Sequence, residues 1–161
     1  MTNEMQKFFI TLILLFSSFL FSNSKPVAIV VHGGAGWFEN MPEGQVEGIK
    51  KGLEGSMNTG YEILINGGSS LDAVEQAIIL LENDPLFNAG KGAVYTSELR
   101  QELDASIMHG LNNNAGAVAS VTNVKNPISL ARYVMENTDH VMFSSRGAER
   151  VAKDAGLDIV Y

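Results

Sequence analysis

The 161-residue chain contains no cysteine, so it can build neither a disulfide framework nor a thiolate zinc cluster. Basic side chains are sparse as well: 11 Lys and Arg stand against 18 Asp and Glu, for a formal charge of −7, and they form no cluster. That balance argues against nucleic acid as a partner. The sequence also has no Asn-x-Ser/Thr acceptor, no P-loop, no dinucleotide fingerprint and no Gly-x-Ser-x-Gly elbow. These absences remove classes of chemistry without naming one.

What is present begins with one apolar run, Phe8 to Phe21, behind Lys7 and ahead of Ser22-Asn23-Ser24. It is too short to span a bilayer comfortably, and Ser22 and Ser24 stand where a signal peptidase cleaves. Residues 1–24 are therefore expected to be a signal peptide and 25–161 the folded part, with an uncleaved signal anchor as the alternative. The expected destination is the secretory pathway, secreted or lysosomal, without stable membrane insertion after cleavage.

Lys25 to Val31 is β-branched and apolar, which predicts a buried strand. It runs into His32-Gly33-Gly34-Ala35-Gly36, where the glycines serve a tight exit or permit close approach to the main chain. His32 alone predicts a hydrogen-bonded core histidine. From Glu43 to Asn66, Val46, Ile49, Leu53, Met57, Tyr61 and Leu64 mark one helix face. Its glycines weaken propensity, and their spacing predicts a close neighbour. Gly67-Gly68 ends that helix, and Ser69 with Asp72 forms a capping box for the next. Strands are expected at Gly92–Thr96, Glu102–Met108, Ala115–Val121 and Val141–Phe143. Helices are expected from Pro127 to Asn137 and from a Ser145 cap to Gly156. Asp104, inside an apolar strand, calls for a hydrogen bond to nearby backbone. The order β-α-α-β-β-β-α-β-α predicts an α+β or αββα domain.

The stretch Leu81–Tyr95, LENDPLFNAGKGAVY, breaks a helix at Asp84-Pro85 and sets Phe87 and Asn88 beside Gly90 and Gly92. Such a loop can turn carbonyls inward toward a hard cation, or can simply be a tight turn.

Four stretches in order carry a resemblance: HGGAG at 32–36; GGSSLDAVE at 67–75 leading into LENDPLFNAGKGAV at 81–94; ELDASIMHG at 102–110 with AGAV at 115–118; and NPISLARYVME at 126–136. Together they resemble the α-subunit half of the isoaspartyl peptidase/L-asparaginase family, the plant-type asparaginases among the N-terminal-nucleophile hydrolases. The resemblance implies part of an αββα sandwich lacking its β-subunit half. It also implies a precursor that cuts itself before a threonine in Gly-Thr-Val-Gly; that threonine becomes the nucleophile and its α-amine the base. No Gly-Thr-Val-Gly occurs here, so no catalytic residue is assigned and the chain alone is expected to be inactive.

What the resemblance carries over is a supporting shell. The main-chain oxygens of Leu81, Glu82, Asp84, Phe87, Ala89 and Lys91 would hold a structural sodium ion, leaving the Lys91 side chain free to point away. Asn88 would lie near the nucleophile, and Gly33 and Gly34 belong to a loop implicated in self-cleavage. His32 is assigned a structural role; His109 stands where relatives often have aspartate and receives none. No organic cofactor is implied. The implied partners are a β-half, an (αβ)2 assembly, and L-asparagine or an isoaspartyl dipeptide as substrate. A glycosylasparaginase-like fragment and a non-catalytic truncated α-half that binds a β-half are the alternatives.

Overall fold

Apolar periodicity shapes the first two helices, and a computed structural model describes them within residues 26–35 and 40–160. The signal-peptide expectation for residues 1–24 and the end of the HGGAG motif at Gly36 lie outside the described residues. Helix α1 runs Glu43–Ile65. It ends in a Schellman turn: Gly68 N–H donates to Ile63 O at 2.8 Å, Gly67 N–H to Leu64 O at 3.1 Å, and Gly67 takes φ +84°. Helix α2, Ser70–Glu82, starts from the predicted box, with Asp72 N–H donating to Ser69 Oγ at 3.0 Å. The Ser69 hydroxyl, Arg132 and Ser69 N–H hold the Asp72 carboxyl below its ordinary range.

The two helices pack closely, as the glycine spacing predicts. Buried Ser56 donates to Ala77 O at 2.9 Å, and a Cβ on Gly60 would stand 2.9 Å from Ala73 O. Gly48 and Gly52 meet Leu86 and Phe87 instead, while Gly44 and Gly55 face open space.

Strand β1, Leu103–Met108, pairs antiparallel with β2, Ala115–Val121, and β2 pairs parallel with β3, Met142–Ser144. The sheet order is β1-β2-β3. A bulge between Leu103 and Ala105 is stitched by Asp104, whose Oδ1 accepts from Ser120 N–H at 2.8 Å. This is the backbone bond its strand position calls for. Helix α3, Pro127–Asn137, covers one face; a Cβ on Gly116 would come 2.1 Å from Ala131 O. Helix α4, Ser145–Asp154, completes that side with Ala148 and Ala152, both at 0% exposure.

Here lies the core: Val118, Val121, Val124, Ile128, Leu130 and Val134 are all but sealed from solvent. Burying each such side chain stabilises by about 1.5–3 kcal/mol. Arg132 ties α3 to α2 through Asp72 and Glu75, both at 2.7 Å. On the other face of the sheet Asp104, Ser106 and Met108 of β1 and Met142 and Ser144 of β3 are exposed. The architecture is mixed α/β with a small sheet. Among the described residues no helix is long and apolar enough to cross a membrane.

Three expectations need correction. Residues 26–31 join no ladder, because no described segment lies beside them to accept or donate. The strand expected at Gly92–Thr96 is a 3-10 turn, Gly90–Gly92, followed by a single bridge from Tyr95 to Gln101. Its donors are diverted, since Ala93 N–H returns to Gly90 O and Val94 N–H goes to Asn88. Finally, Ser144 rather than Ser145 holds the N-cap position of α4, without a side-chain capping bond, and Ser145 sits at φ +48°.

Candidate functional site

Helix α2 stops because Asn83 and Asp84 bend the chain: Asn83 N–H donates to Ile79 O and Asp84 N–H to Leu81 O. Asp84 then builds the turn before Phe87. Its Oδ1 accepts from Leu86 N–H at 2.9 Å and its carbonyl from Phe87 N–H at 3.2 Å. Phe87 is buried, and its ring lies where a Cβ on Gly52 would be 2.6 Å away and one on Gly33 3.0 Å away. One aromatic ring thus seats the loop on α1 and on the HGG segment.

The two loop glycines make room for carbonyls. Gly90, at φ +48°, faces Glu82 O, which a Cβ would approach to 2.3 Å. Gly92 faces Phe87 O and Pro85 O, at 2.1 and 2.7 Å from such a Cβ. Of the six predicted oxygens, those of Leu81, Asp84, Phe87 and Ala89 each accept a local N–H. A carbonyl has two lone pairs, so each can still meet a cation. No described backbone N–H outside the helices and strands donates to the oxygens of Glu82 or Lys91. Among the described residues no three His, Cys, Asp or Glu side chains gather as a metal cluster. A cation in this loop would therefore be held by main-chain oxygen, the ligand type that suits a hard ion. Pro85 O, outside the six, stands beside Phe87 O against Gly92.

Glu82 does more than present its carbonyl. Its side chain is 4% exposed; Oε1 accepts from Ile128 N–H and Oε2 from Asn126 Nδ2, both at 3.0 Å. Asn126 makes no side-chain cap of its own, so Glu82 satisfies the start of α3 from another helix. Burial pushes the carboxyl up to about 7, against the two hydrogen bonds that favour its charge, with Glu75 adding to the rise. Sequence reading missed this role. The available signal was the position of Glu82 four residues after Ile78, on a face that is otherwise apolar.

The HGG segment closes the site. Gly34, at φ +94°, donates its N–H to His32 Nδ1 at 3.1 Å. His32 is exposed, which corrects the expectation of a core histidine, although its bond is local and structural. A cavity of about 410 Å³ is lined by His32, Gly33, Gly34, Phe87, Asn88 and Ala89, among others, so two motifs more than 50 residues apart share one cavity. Asn88 is exposed, and its Oδ1 accepts from Val94 N–H at 2.9 Å. A wider hollow of about 580 Å³ beside Arg100, Ser120 and Arg146 contains none of the predicted site residues.

No described threonine is poised as a nucleophile. The hydroxyl of Thr122 donates to Glu149 at 2.7 Å and that of Thr138 to Val134 O at 2.9 Å. Thr96 accepts from the N–H groups of Glu98 and Arg100, and Thr59 lies within α1. His109 closes the β1–β2 turn through its main chain, donating to Asn114 O at 2.8 Å.

The sequence profile of the asparaginase family matches residues 24–161, a span that contains every one of these features. The chain belongs to the asparaginase family. Its similarity to individual asparaginases is substantial: it is 47% identical to the rat isoaspartyl peptidase/L-asparaginase over 131 residues, 81% of this chain and 39% of the rat protein. Against the plant-type L-asparaginase of Pyrococcus furiosus the identity is 49%, over 81% of this chain and 42% of the relative. A putative isoaspartyl peptidase/L-asparaginase of Dictyostelium discoideum is 44% identical over 139 residues, 85% of this chain and 40% of its own. The chain therefore spans about two fifths of the length of these asparaginases.

Proposed function

We propose that this chain is the α-half of a threonine-nucleophile amidohydrolase acting on L-asparagine and β-aspartyl peptides, with the nucleophile supplied by a β-half. The observation that carries this reading is the asparaginase profile running unbroken through all four motifs. In the reaction the threonine hydroxyl attacks the side-chain amide or isopeptide carbonyl while its own α-amine takes the proton. Ammonia or the amino component leaves, and water then hydrolyses the acyl-enzyme. This chain would furnish the setting. Gly34, with open space where a Cβ would stand, leaves room for another backbone to approach, Gly33 seats the segment on Leu53 and Phe87, and Asn88 faces the same cavity.

The loop brace is part of the proposal. The main-chain oxygens of Leu81, Glu82, Asp84, Phe87, Ala89 and Lys91 would hold sodium, and the glycine-lined carbonyl turns support that assignment. The ion would supply only positive charge that offsets repulsion between converging carbonyls. In the assembled enzyme, an (αβ)2 particle, the β-half would cover the sheet face on which Asp104, Ser106 and Met108 are exposed.

The test is an assay of the purified chain with L-asparagine and a β-aspartyl dipeptide. No turnover is expected; hydrolysis by the chain alone would overturn the missing-nucleophile reading. For the brace, thermal unfolding in sodium chloride should occur at a higher temperature than in choline chloride of equal ionic strength. Equal midpoints would remove sodium from the proposal.

A further inference from the structure

The hollow of about 580 Å³ beside β2 collects strained backbone and charge of both signs. Ala119 of β2 pairs with Ser144 of β3, and the residue after each, Ser120 and Ser145, leaves its strand at φ +51° and +48°. Leu99, just ahead of Arg100, takes +58°. Three of the four non-glycine residues with left-handed φ among the described residues thus stand in or next to the lining of one cavity. Such conformations cost energy, persist where the surroundings impose them, and gather at ligand clamps. The cavity is also of the size that holds a small molecule.

Its charged lining consists of two arginines and two glutamates. Arg100 leans on Glu102, at 3.5 Å. Glu149 is held in place by Thr122, whose N–H and hydroxyl both donate to Oε1, at 2.9 and 2.7 Å. Arg146 lies three residues before Glu149 on α4, so the two share a helix face with Cβ atoms about 5–6 Å apart. Both line the cavity, yet no ion pair joins them. A plain anion in this hollow would meet the glutamates, and a plain cation the arginines. A ligand carrying both charges one carbon apart meets neither penalty.

We propose that this hollow binds the zwitterionic end of a free α-amino acid. The Arg146 guanidinium takes the carboxylate, for which its planar fork is shaped, and the Glu149 carboxylate takes the ammonium. Ser120 and Ser145 present hydroxyls between them, and the remaining volume accommodates the side chain. The hollow shares no lining residue with the HGG cavity, so the proposal stands apart from the α-half reading.

The test titrates the 161-residue chain with L-alanine, the minimal probe, and follows backbone amide resonances. Saturable shifts are expected at Ser120, Thr122, Ser145 and Arg146. Propionate, which lacks the ammonium, and ethylamine, which lacks the carboxylate, should each bind at least about tenfold more weakly. Arg146→Gln should weaken L-alanine at least about tenfold. Glu149→Gln keeps an acceptor for Thr122 and should weaken it as much. Arg150→Gln, an exposed arginine of the same helix outside the lining, should change nothing. Propionate binding as tightly as L-alanine makes the hollow an anion site and overturns the proposal. So do shifts confined to Gly33, Gly34 and Asn88, an equal loss in Arg150→Gln, or no saturable shift at all.

Discussion

The sheet with α3 and α4 differs from the α1–α2 pair with its HGG segment in how far each seals its apolar surface. On the first side Val121, Leu130, Ala131, Val134 and Ala148 are at 0% exposure. On the second, Val30 is 92% exposed, Ile65 50% and Tyr61 42%, although they belong to equally apolar patterns. The difference lies in neighbours rather than in composition. β2 packs against both α3 and α4, whereas residues 26–31, among the described residues, meet helices on one side only. Part of this asparaginase segment thus makes its own core, and part presents a core for something else to finish.

Core substitution should separate the two regions most strongly. Leu130→Ala should lower unfolding free energy by about 2–5 kcal/mol in a urea titration; Val30→Ala should stay within about 0.5 kcal/mol. Equal losses would break the contrast.

Glu82 joins the two regions, and its ionisation sharpens the comparison. Because its folded carboxyl is raised to about 7 from an ordinary 4.5, the buried charge disfavours the folded state. Stability should therefore fall as pH rises from about 4.5 to about 7 and level off above, by on the order of 2–3 kcal/mol. Glu82→Gln keeps an acceptor for Ile128 N–H and should flatten that slope. A slope unchanged in the variant would assign it to other groups.

Glycines make a finer test. Gly116→Ala drives a Cβ against Ala131 O and should cost about 1–3 kcal/mol, while Gly55→Ala, in open space on α1, should stabilise by about 0.5–1 kcal/mol. Ser120→Gly should act in the same direction as Gly55→Ala. Ser120 holds φ +51° at the bulge, so relief of that strain should raise the unfolding midpoint by the equivalent of about 1 kcal/mol. A lower midpoint would mean that the Ser120 side chain contributes more than its backbone costs.

The helices were legible in the sequence because their signals are local. Ser69 with Asp72, Gly67-Gly68 and Pro127 act within a few residues of themselves, and each lies where its chemistry places it. Of the candidate site the sequence made visible residues rather than roles: Gly90 and Gly92 stand against carbonyls, and Gly33, Gly34 and Asn88 line one cavity. What escaped depends on distant partners. The 26–31 run is a good strand pattern whose ladder needs residues not beside it. The expected strand at 92–96 loses its donors to Asn88 and Gly90, a competition that periodicity does not register. Glu82 reads as the polar end of a helix until Ile128, 46 residues on, is brought to its carboxylate.

The bond between Asn88 and Val94 has a consequence for anything that enters the cavity. A main-chain N–H needs an acceptor, and of the two ends of an amide only the oxygen is one, so Val94 fixes which way the Asn88 amide is turned. With no described residue receiving from Nδ2, the side chain offers a visitor its hydrogens, beside the one lone pair of Oδ1 that Val94 does not use. An amide that elsewhere can stand either way round is here fixed: it meets a carbonyl oxygen or a carboxylate with its hydrogens, and an ammonium only with the lone pair that Val94 leaves free.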